Sequence, residues 1–265
     1  MQGVVLMQAF DRLVKIMETL RAPGGCPWDA EQTHKSLIKN LIEEAYELVD
    51  ALEADESEYI MEELGDVLLQ VVFHSTIAKE AGRFEITDVL NCLCDKLVYR
   101  HPHVFGDARV DDAEDVIRNW DRLKRKENGK QGRESILSGI PKTLPALLYA
   151  LKLQATASRV GFDWETAAQV REKIDEEFAE LSAAISDGSD AGVADEIGDL
   201  IFSLVNLARK LDVDPDAALR RSNRKFVRRF NEIEKAARRN GKRLSEMPLD
   251  EKEAIWQAAK TGDPE

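Results

Sequence analysis

The sequence predicts an all-α fold made of two tandem copies of one helical domain, each built around an antiparallel helix pair. Three observations predict it. Apolar residues recur at spacings of three and four through nearly every segment, the period of a helix with one buried face. Proline and glycine are sparse, eight and fifteen in 265 residues, whereas a sheet protein is dense in turns. A set of acidic residues also repeats at a single offset of 133 positions, the mark of a duplicated unit.

The elements follow in order. A first helix spans 6–21, with Leu6, Phe10, Leu13, Ile16, Met17 and Leu20 on its apolar side, and stops at Ala22-Pro23-Gly24-Gly25. The stretch CPWDAEQT reads as a loop, with Asp29 or Thr33 as cap of the next helix, 33–54. That helix carries the stripe Leu37, Leu41, Ala45, Leu48, Leu52. After the polar break 54–57, a helix over 57–81 sets Ile60, Leu64, Leu68, Val71 and Ser75 on one side and ends at Gly82. Thr87 opens a helix to Tyr99, and Pro102 excludes a helix through His101-Pro102-His103, which reads as a structural turn. A helix over 112–128 is centred on Val116, Trp120 and Leu123. The Lys/Arg-rich stretch 125–135, with Gly129 and Gly132, reads as a linker between a domain 1–124 and a domain 136–265. The second half predicts helices over 143–159, 166–186, 190–211, 215–238 and 250–260.

Composition narrows the function. A formal charge of −13 argues against a binder of nucleic acid polymers, which needs a positive footprint. No run approaches the roughly 18 apolar residues of a membrane span, and no signal peptide is evident, so a cytoplasmic protein without a membrane partner is expected. Three cysteines, Cys26, Cys92 and Cys94, are too few for a disulfide framework at this length and read as small buried residues of a reduced protein.

The repeat carries the chemistry. Glu43, Glu44 and Glu47 are followed, sixteen residues after Glu47, by Glu63, Gly65 and Asp66. Glu176, Glu177 and Glu180 stand in the same relation to Glu196, Gly198 and Asp199, each 133 positions on. Residues three apart on a helix are surface neighbours. If the two helices of each unit pack antiparallel, the pair on one meets the pair on the other. Four carboxylates so close raise one another's pKa, and a hard divalent cation with all-oxygen ligands, such as Mg²⁺ or Mn²⁺, removes the repulsion. Glu43 and Glu176 lie off the shared face and read as supporting or exposed positions. Histidine and cysteine are absent from the set, which argues against zinc. The chemistry that follows is attack of water on phosphorus with metal assistance.

Basic residues supply the complement. Lys225 and Arg229 are four apart on one helix face, and Lys96 and Arg100 echo them at an offset of 129. Arg grips phosphate oxygens bidentately and Lys acts as a point charge. Trp256 and Lys260 repeat the spacing near the C-terminus, where the indole either stacks on a base or closes the last helix onto the core. There is no GxxxxGK[ST] phosphate loop, no GxGxxG turn and no GxSxG elbow.

Taken together, these stretches resemble the MazG nucleotide pyrophosphohydrolases, of the all-α NTP pyrophosphatase superfamily that also holds dimeric dUTPases and phosphoribosyl-ATP pyrophosphatases. The doubled EExxE…ExxD pattern, GCPWDxxQTH at 25–34, ELGDVLLQVVFH at 63–74, RHPHVFG at 100–106, LPALLYALKLQ at 144–154 and VGFDW at 160–164 carry the likeness, which covers nearly the whole chain in its two-domain bacterial form. The resemblance implies Mg²⁺-dependent hydrolysis of ribo- and deoxynucleoside triphosphates of broad base range to monophosphate and pyrophosphate, with water attacking the α-phosphorus and clean-up of aberrant nucleotides as the usual role. Carried over residue by residue, it makes Glu177, Glu180, Glu196 and Asp199 both catalytic groups and metal ligands. Glu44, Glu47, Glu63 and Asp66 become a second metal set. Lys173, Glu176, Lys225, Arg229, Trp256 and Lys260, with Lys96 and Arg100 in the first half, become nucleotide contacts. It further implies a homodimer and four-helix-type sites completed by a partner chain or a second helix pair.

Two departures from the family pattern stand out. Gly192-Val193-Ala194-Asp195 leads into the second acidic pair where many relatives carry a basic residue. The first half has Cys94 where the second has Asn223, and no Trp256-like residue is obvious before the linker. Catalysis is therefore expected to rest mainly on the second half, with the first-half acids intact. The competing readings are a non-catalytic nucleotide- or metal-binding regulatory dimer and a narrow dUTP or dCTP diphosphatase.

Overall fold

The helical period holds along the chain, while the ends of each helix sit where caps and glycines put them. The computed structural model describes residues 2–110 and 135–261, together with 112, 115, 116, 119, 120 and 123. Most of the helix expected over 112–128, and all but the last residue of the linker expected over 125–135, lie outside the described residues. The chain divides into two units, Met1–Asn128 and Gly129–Glu265. Among the described residues every regular element is a helix, and none is long and apolar enough to cross a membrane.

In the first unit α1 runs Gln2–Arg21, α2 Pro27–Glu31, α3 Ile38–Ala54, α4 Ser57–Glu80, α5 Ile86–Arg100 and α6 Pro102–Phe105. Four expectations change here. Helix α1 starts at Gln2 rather than at 6. CPWDAEQT is not all loop: Pro27, at the first turn of α2 where no N–H is missed, starts one helical turn. Helix α3 begins at Ile38 rather than 33, and neither Asp29 nor Thr33 caps it. The Thr33 hydroxyl instead accepts from the Ser36 N–H at 3.1 Å, and Ser36 Oγ accepts from the Thr33 N–H at 2.9 Å. Such local side-chain bonds compete with a helix start. Pro102 does interrupt α5, but then serves as the first residue of the short α6. The α3–α4 connection is two residues, with Asp55 at φ 55°, so the helices must return antiparallel.

Met17, Leu37, Val72 and Phe73 form the core of this unit, with Phe10, Leu13, Val14, Leu20, Leu69 and Ile77 packed on it. Arg21, whose guanidinium lies 5.4 Å from the Phe73 ring, ties α1 to α4 through Glu80 at 2.7 Å. The expected apolar stripe is therefore divided. Leu37 is buried, but Leu41, Leu52, Leu64, Leu68 and Val71 remain exposed within the chain. Cys92 and Cys94 are exposed too, against the expectation of burial, because α5 presents most of its residues to solvent.

In the second unit α7 runs Ala146–Ser158, α8 Ala167–Ser186, α9 Asp190–Lys210, α10 Pro215–Arg239 and α11 Leu249–Lys260, within two residues or so of the expected bounds. The sequence signals are good here because real caps are present. Thr166 and Gln169 form a reciprocal capping box on α8. Ser189 accepts from the Gly192 N–H on α9, and Asp214 accepts from the N–H groups of Asp216 and Ala217 on α10. Gly188, at φ 66°, makes the α8–α9 turn. Helices α8 and α9 pair as α3 and α4 do, and α7 lies against α9. Ile233, Ala237 and Met247 form a second core with Phe230, Leu244, Ile255 and Trp256 around it.

Candidate active site

Each helix pair gathers its acidic residues as the repeat requires. Glu177 on α8 and Glu196 and Asp199 on α9 bring one carboxylate oxygen each within 4.8 Å of one another. Glu44 on α3 and Glu63 and Asp66 on α4 do the same. The fourth member of each expected set, Glu180 and Glu47, stands outside the triad yet close enough to act on it. Glu196 is raised above the ordinary carboxylate value by desolvation and then by the charges of Glu180, Glu177 and Asp199. Glu44 is raised by desolvation and then by Asp66 and Glu47, and Glu63 by desolvation and then by Glu47 and Asp66. Glu63 Oε2 is buried with no hydrogen-bond partner among the described residues. Converging carboxylate oxygens, mutual repulsion and an unsatisfied buried oxygen fit a hard divalent cation.

The two sites differ in their surroundings. Glu177 is 5% exposed, and Lys173, one turn earlier on α8, sits 2.8 Å from it and 3.1 Å from Glu176. The hydrogen bonds it donates to Glu177 and Glu176 hold the Lys173 ammonium well above its ordinary pKa. In the first half Asn40 occupies the corresponding position, 133 residues earlier, and its Oδ1 is buried without a partner among the described residues. Gln70 stands where the second half has Ser203 and donates to Glu44 at 3.4 Å.

A cleft of about 630 Å³ opens beside the second triad, bordered by Lys173, Glu177 and Asp199 at one end and by Leu153, Phe202 and Trp164 along its walls. The volume lies within the range of small-molecule sites. The loop of the VGFDW stretch is pinned there. Asp163 pairs with Arg209, and with Lys210 at 2.7 Å. Burial pushes the Asp163 carboxyl up, but the hydrogen bonds from Arg209 and Lys210 outweigh it and leave the pKa below the usual value. Lys210 also donates to the Trp164 carbonyl. The first half has buried Phe73, 3% exposed, where the second has the cleft residue Asn206. Sequence reasoning missed Gln154, Asp163, Trp164 and Asn206. The signal for the first three lay in the LKLQ and VGFDW stretches, which served only as likeness; Asn206 lies outside both.

The expected basic contacts split. Lys173 and Glu176 join the carboxylates. Arg229 lies over Trp256 at 5.4 Å, and that indole packs on Phe226 and the second core, so its contacts are those of a residue closing α11 onto the body. Lys225 is half-buried and Lys260 exposed. In the first half Arg100 is buried with its guanidinium 5.2 Å from the Trp120 ring, while Lys96 is half-buried. Trp120 thus plays the part of Trp256, correcting the expectation that the first half lacks one. His101 stacks edge-on against the same indole and bonds the Leu97 carbonyl at 2.6 Å, consistent with a structural turn.

Comparison with known proteins accords with this picture. Residues 32–105 match the MazG nucleotide pyrophosphohydrolase domain, and residues 146–226 match the phosphoribosyl-ATP pyrophosphohydrolase family. The chain is 47% identical over 254 residues, 96% of each chain, to the nucleoside triphosphate pyrophosphohydrolase/pyrophosphatase MazG of Thermotoga maritima. It is 40% identical over 259 residues, 96% of this chain and 98% of the other, to the nucleoside triphosphate pyrophosphohydrolase of Escherichia coli. The uncharacterized protein YabN of Bacillus subtilis is 44% identical over 97% of this chain and 52% of its own length. With likeness along both chains and an acidic triad in each half, the chain belongs to the MazG family of nucleoside triphosphate pyrophosphohydrolases.

Proposed function

We propose that the second half carries the working site, and that it hydrolyses ribo- and deoxynucleoside triphosphates of broad base range to monophosphate and pyrophosphate by attack of water at the α-phosphorus. The observation that carries this reading is the convergence of Glu177, Glu196 and Asp199 beside Lys173 and an open cleft. Magnesium, with manganese as a substitute, is the ion the all-oxygen donor set suits, and when bound it supplies charge neutralisation of the triphosphate and activation of water. Glu177, Glu180, Glu196 and Asp199 would hold it, and one of these carboxylates orients the attacking water or takes its proton. Lys173, kept protonated by Glu177 and Glu176, provides a fixed positive charge for phosphate oxygens as they arrive. Lys225, Arg229 and Lys260 would add further positive charge for the phosphates, with Arg229 held over Trp256. In the first half Glu44, Glu47, Glu63 and Asp66 can hold a cation, but Asn40 replaces the lysine and the core residue Phe73 stands at the position of the cleft residue Asn206. This favours a supporting role for that half, Lys96 and Arg100 included.

A homodimer fits the same reading. Leu64, Leu68 and Val71 on α4 and Ile197, Ile201 and Leu204 on α9 are equivalent positions, all exposed within the chain. Repeated apolar faces beside both triads suit a second helix pair that completes a four-helix site.

The test is product analysis. Ribo- and deoxynucleoside triphosphates incubated with Mg²⁺ should yield monophosphate and pyrophosphate, and chelator should stop the reaction. Glu180→Ala should lose at least about a hundred-fold in kcat, and Glu47→Ala should stay near the parent. Diphosphate plus phosphate, or binding without turnover, would overturn the assignment.

A further inference from the structure

The cleft beside the second triad contains a buried group that the reaction at phosphorus does not use. Gln154 on α7 lines the cleft and is only 7% exposed. Its Nε2 donates to the main-chain carbonyl of Phe202 on α9 at 2.8 Å. Only the nitrogen end of a carboxamide can donate to a carbonyl, so this bond fixes which way the amide faces. The other end, Oε1, is buried with no hydrogen-bond partner among the described residues. A buried acceptor without a donor is costly, and in a cleft it marks a place where a donor is to be received. The walls around it are the aromatic and aliphatic surfaces of Phe162, Trp164, Phe202 and Leu153, suited to a flat ring with a polar edge.

We propose that Gln154 Oε1 is the base-reading group of this enzyme, accepting from the Watson–Crick edge of the nucleobase while the phosphates lie toward Lys173, Glu177 and Asp199. This deepens the pyrophosphohydrolase reading of the second half and rests on it. The chemistry explains breadth. Adenine and cytosine carry an exocyclic amino group on that edge, guanine carries a ring N–H and an amino group, and uracil and thymine carry a ring N–H. One acceptor therefore finds a donor on every natural base and rejects only a base that has none. Asn206 lines the same cleft, and its Oδ1 already accepts from Arg209 at 2.8 Å, leaving its amide N–H groups to meet the acceptor that also occurs on every such edge. In the first half Phe73 occupies the position of Asn206 and is packed into the core.

The test compares substrates that differ only in the edge donor: ATP with purine riboside triphosphate, and CTP with pyrimidin-2-one riboside triphosphate, using the full-length protein and Gln154→Leu. In the parent, removing the donor should lower kcat/KM about ten-fold, the worth of one buried hydrogen bond with a polar group otherwise stranded. In Gln154→Leu the two members of each pair should become equal. These parent measurements require no variant, so a misfolded Gln154→Leu leaves the proposal testable. Equal rates within each pair in the parent, or an unchanged ratio in Gln154→Leu, would overturn it and make Gln154 a packing residue. If the parent releases no pyrophosphate from any nucleotide, the underlying reaction assignment fails. The base contact is then judged by the ratio of Kd values for α,β-methylene-ATP and its purine riboside counterpart, where a ratio near one overturns it.

Discussion

Single residues separate the two halves more sharply than the shared acids do. The same carboxylates recur at the same offset, yet Lys173 faces Asn40, Ser203 faces Gln70 and Asn206 faces Phe73 across the duplication. The first half has lost a cation and gained a ring in its core, so equal acids do not imply equal catalysis. Gly65 and Gly198 are the opposite case, a neutral residue kept in both halves. Each lies inside a helix, where glycine costs about 0.5–1 kcal/mol relative to alanine. A Cβ on either would meet nothing within 4 Å among the described residues of its own chain. Intrachain packing does not demand the glycine, which points to something approaching from outside, a partner helix or the substrate. Gly198→Ala is accordingly expected to raise thermal stability of the isolated fold slightly while lowering kcat/KM. Thermal melts beside turnover assays check it, and a variant with unchanged activity would remove the glycine from the site.

At the scale of elements, the helices were legible because their period is strong, and the second-half boundaries because caps such as Thr166, Ser189 and Asp214 are present in the sequence. The start of α3 was not, since Thr33 and Ser36 satisfy each other instead of capping a helix. The gathering of acids on each helix pair was legible from the i, i+3 spacing, the repeat and an antiparallel return, but that three rather than four carboxylates converge was not. The cleft was not, because it needs α7 to lie on α9, a long-range contact that no local spacing encodes. The inner face of α4 carries another such pairing. His74 Nδ1 lies 2.9 Å from His34 Nδ1 and the rings stack. Burial and then the nearby His34 hold His74 below the ordinary imidazole value of 6.5. The unfolded chain thus binds a proton that the folded one resists, so stability falls as pH drops below about 6.5 and is recovered as pH rises. The melting temperature of the parent should fall between pH 7 and pH 5, and His74→Gln should flatten that slope. A slope identical in both would exclude the pair as its source.

For the whole molecule, the exposed apolar faces decide the most. Leu41, Leu64, Leu68 and Val71 in the first unit, and Phe178, Ile197, Ile201 and Leu204 in the second, are large hydrophobics left on the surface of a single chain. Faces repeated on both duplicated helix pairs are more than scattered surface residues. Placing a charge in each, as Leu68→Glu with Ile201→Glu, should convert a dimer to a monomer in sedimentation analysis and cut activity with it. A parent that sediments as a monomer at micromolar concentration and turns over fully would contradict a site completed by a partner.

The most direct test of the central claim is the fate of the attacking oxygen. Hydrolysis of a nucleoside triphosphate in ¹⁸O-labelled water, followed by mass spectrometry of both products, reports which phosphorus is attacked. The label is expected in the nucleoside monophosphate and none in the pyrophosphate, with the reaction lost in Glu180→Ala. Label in the pyrophosphate would place the attack at the β-phosphorus and contradict the central claim.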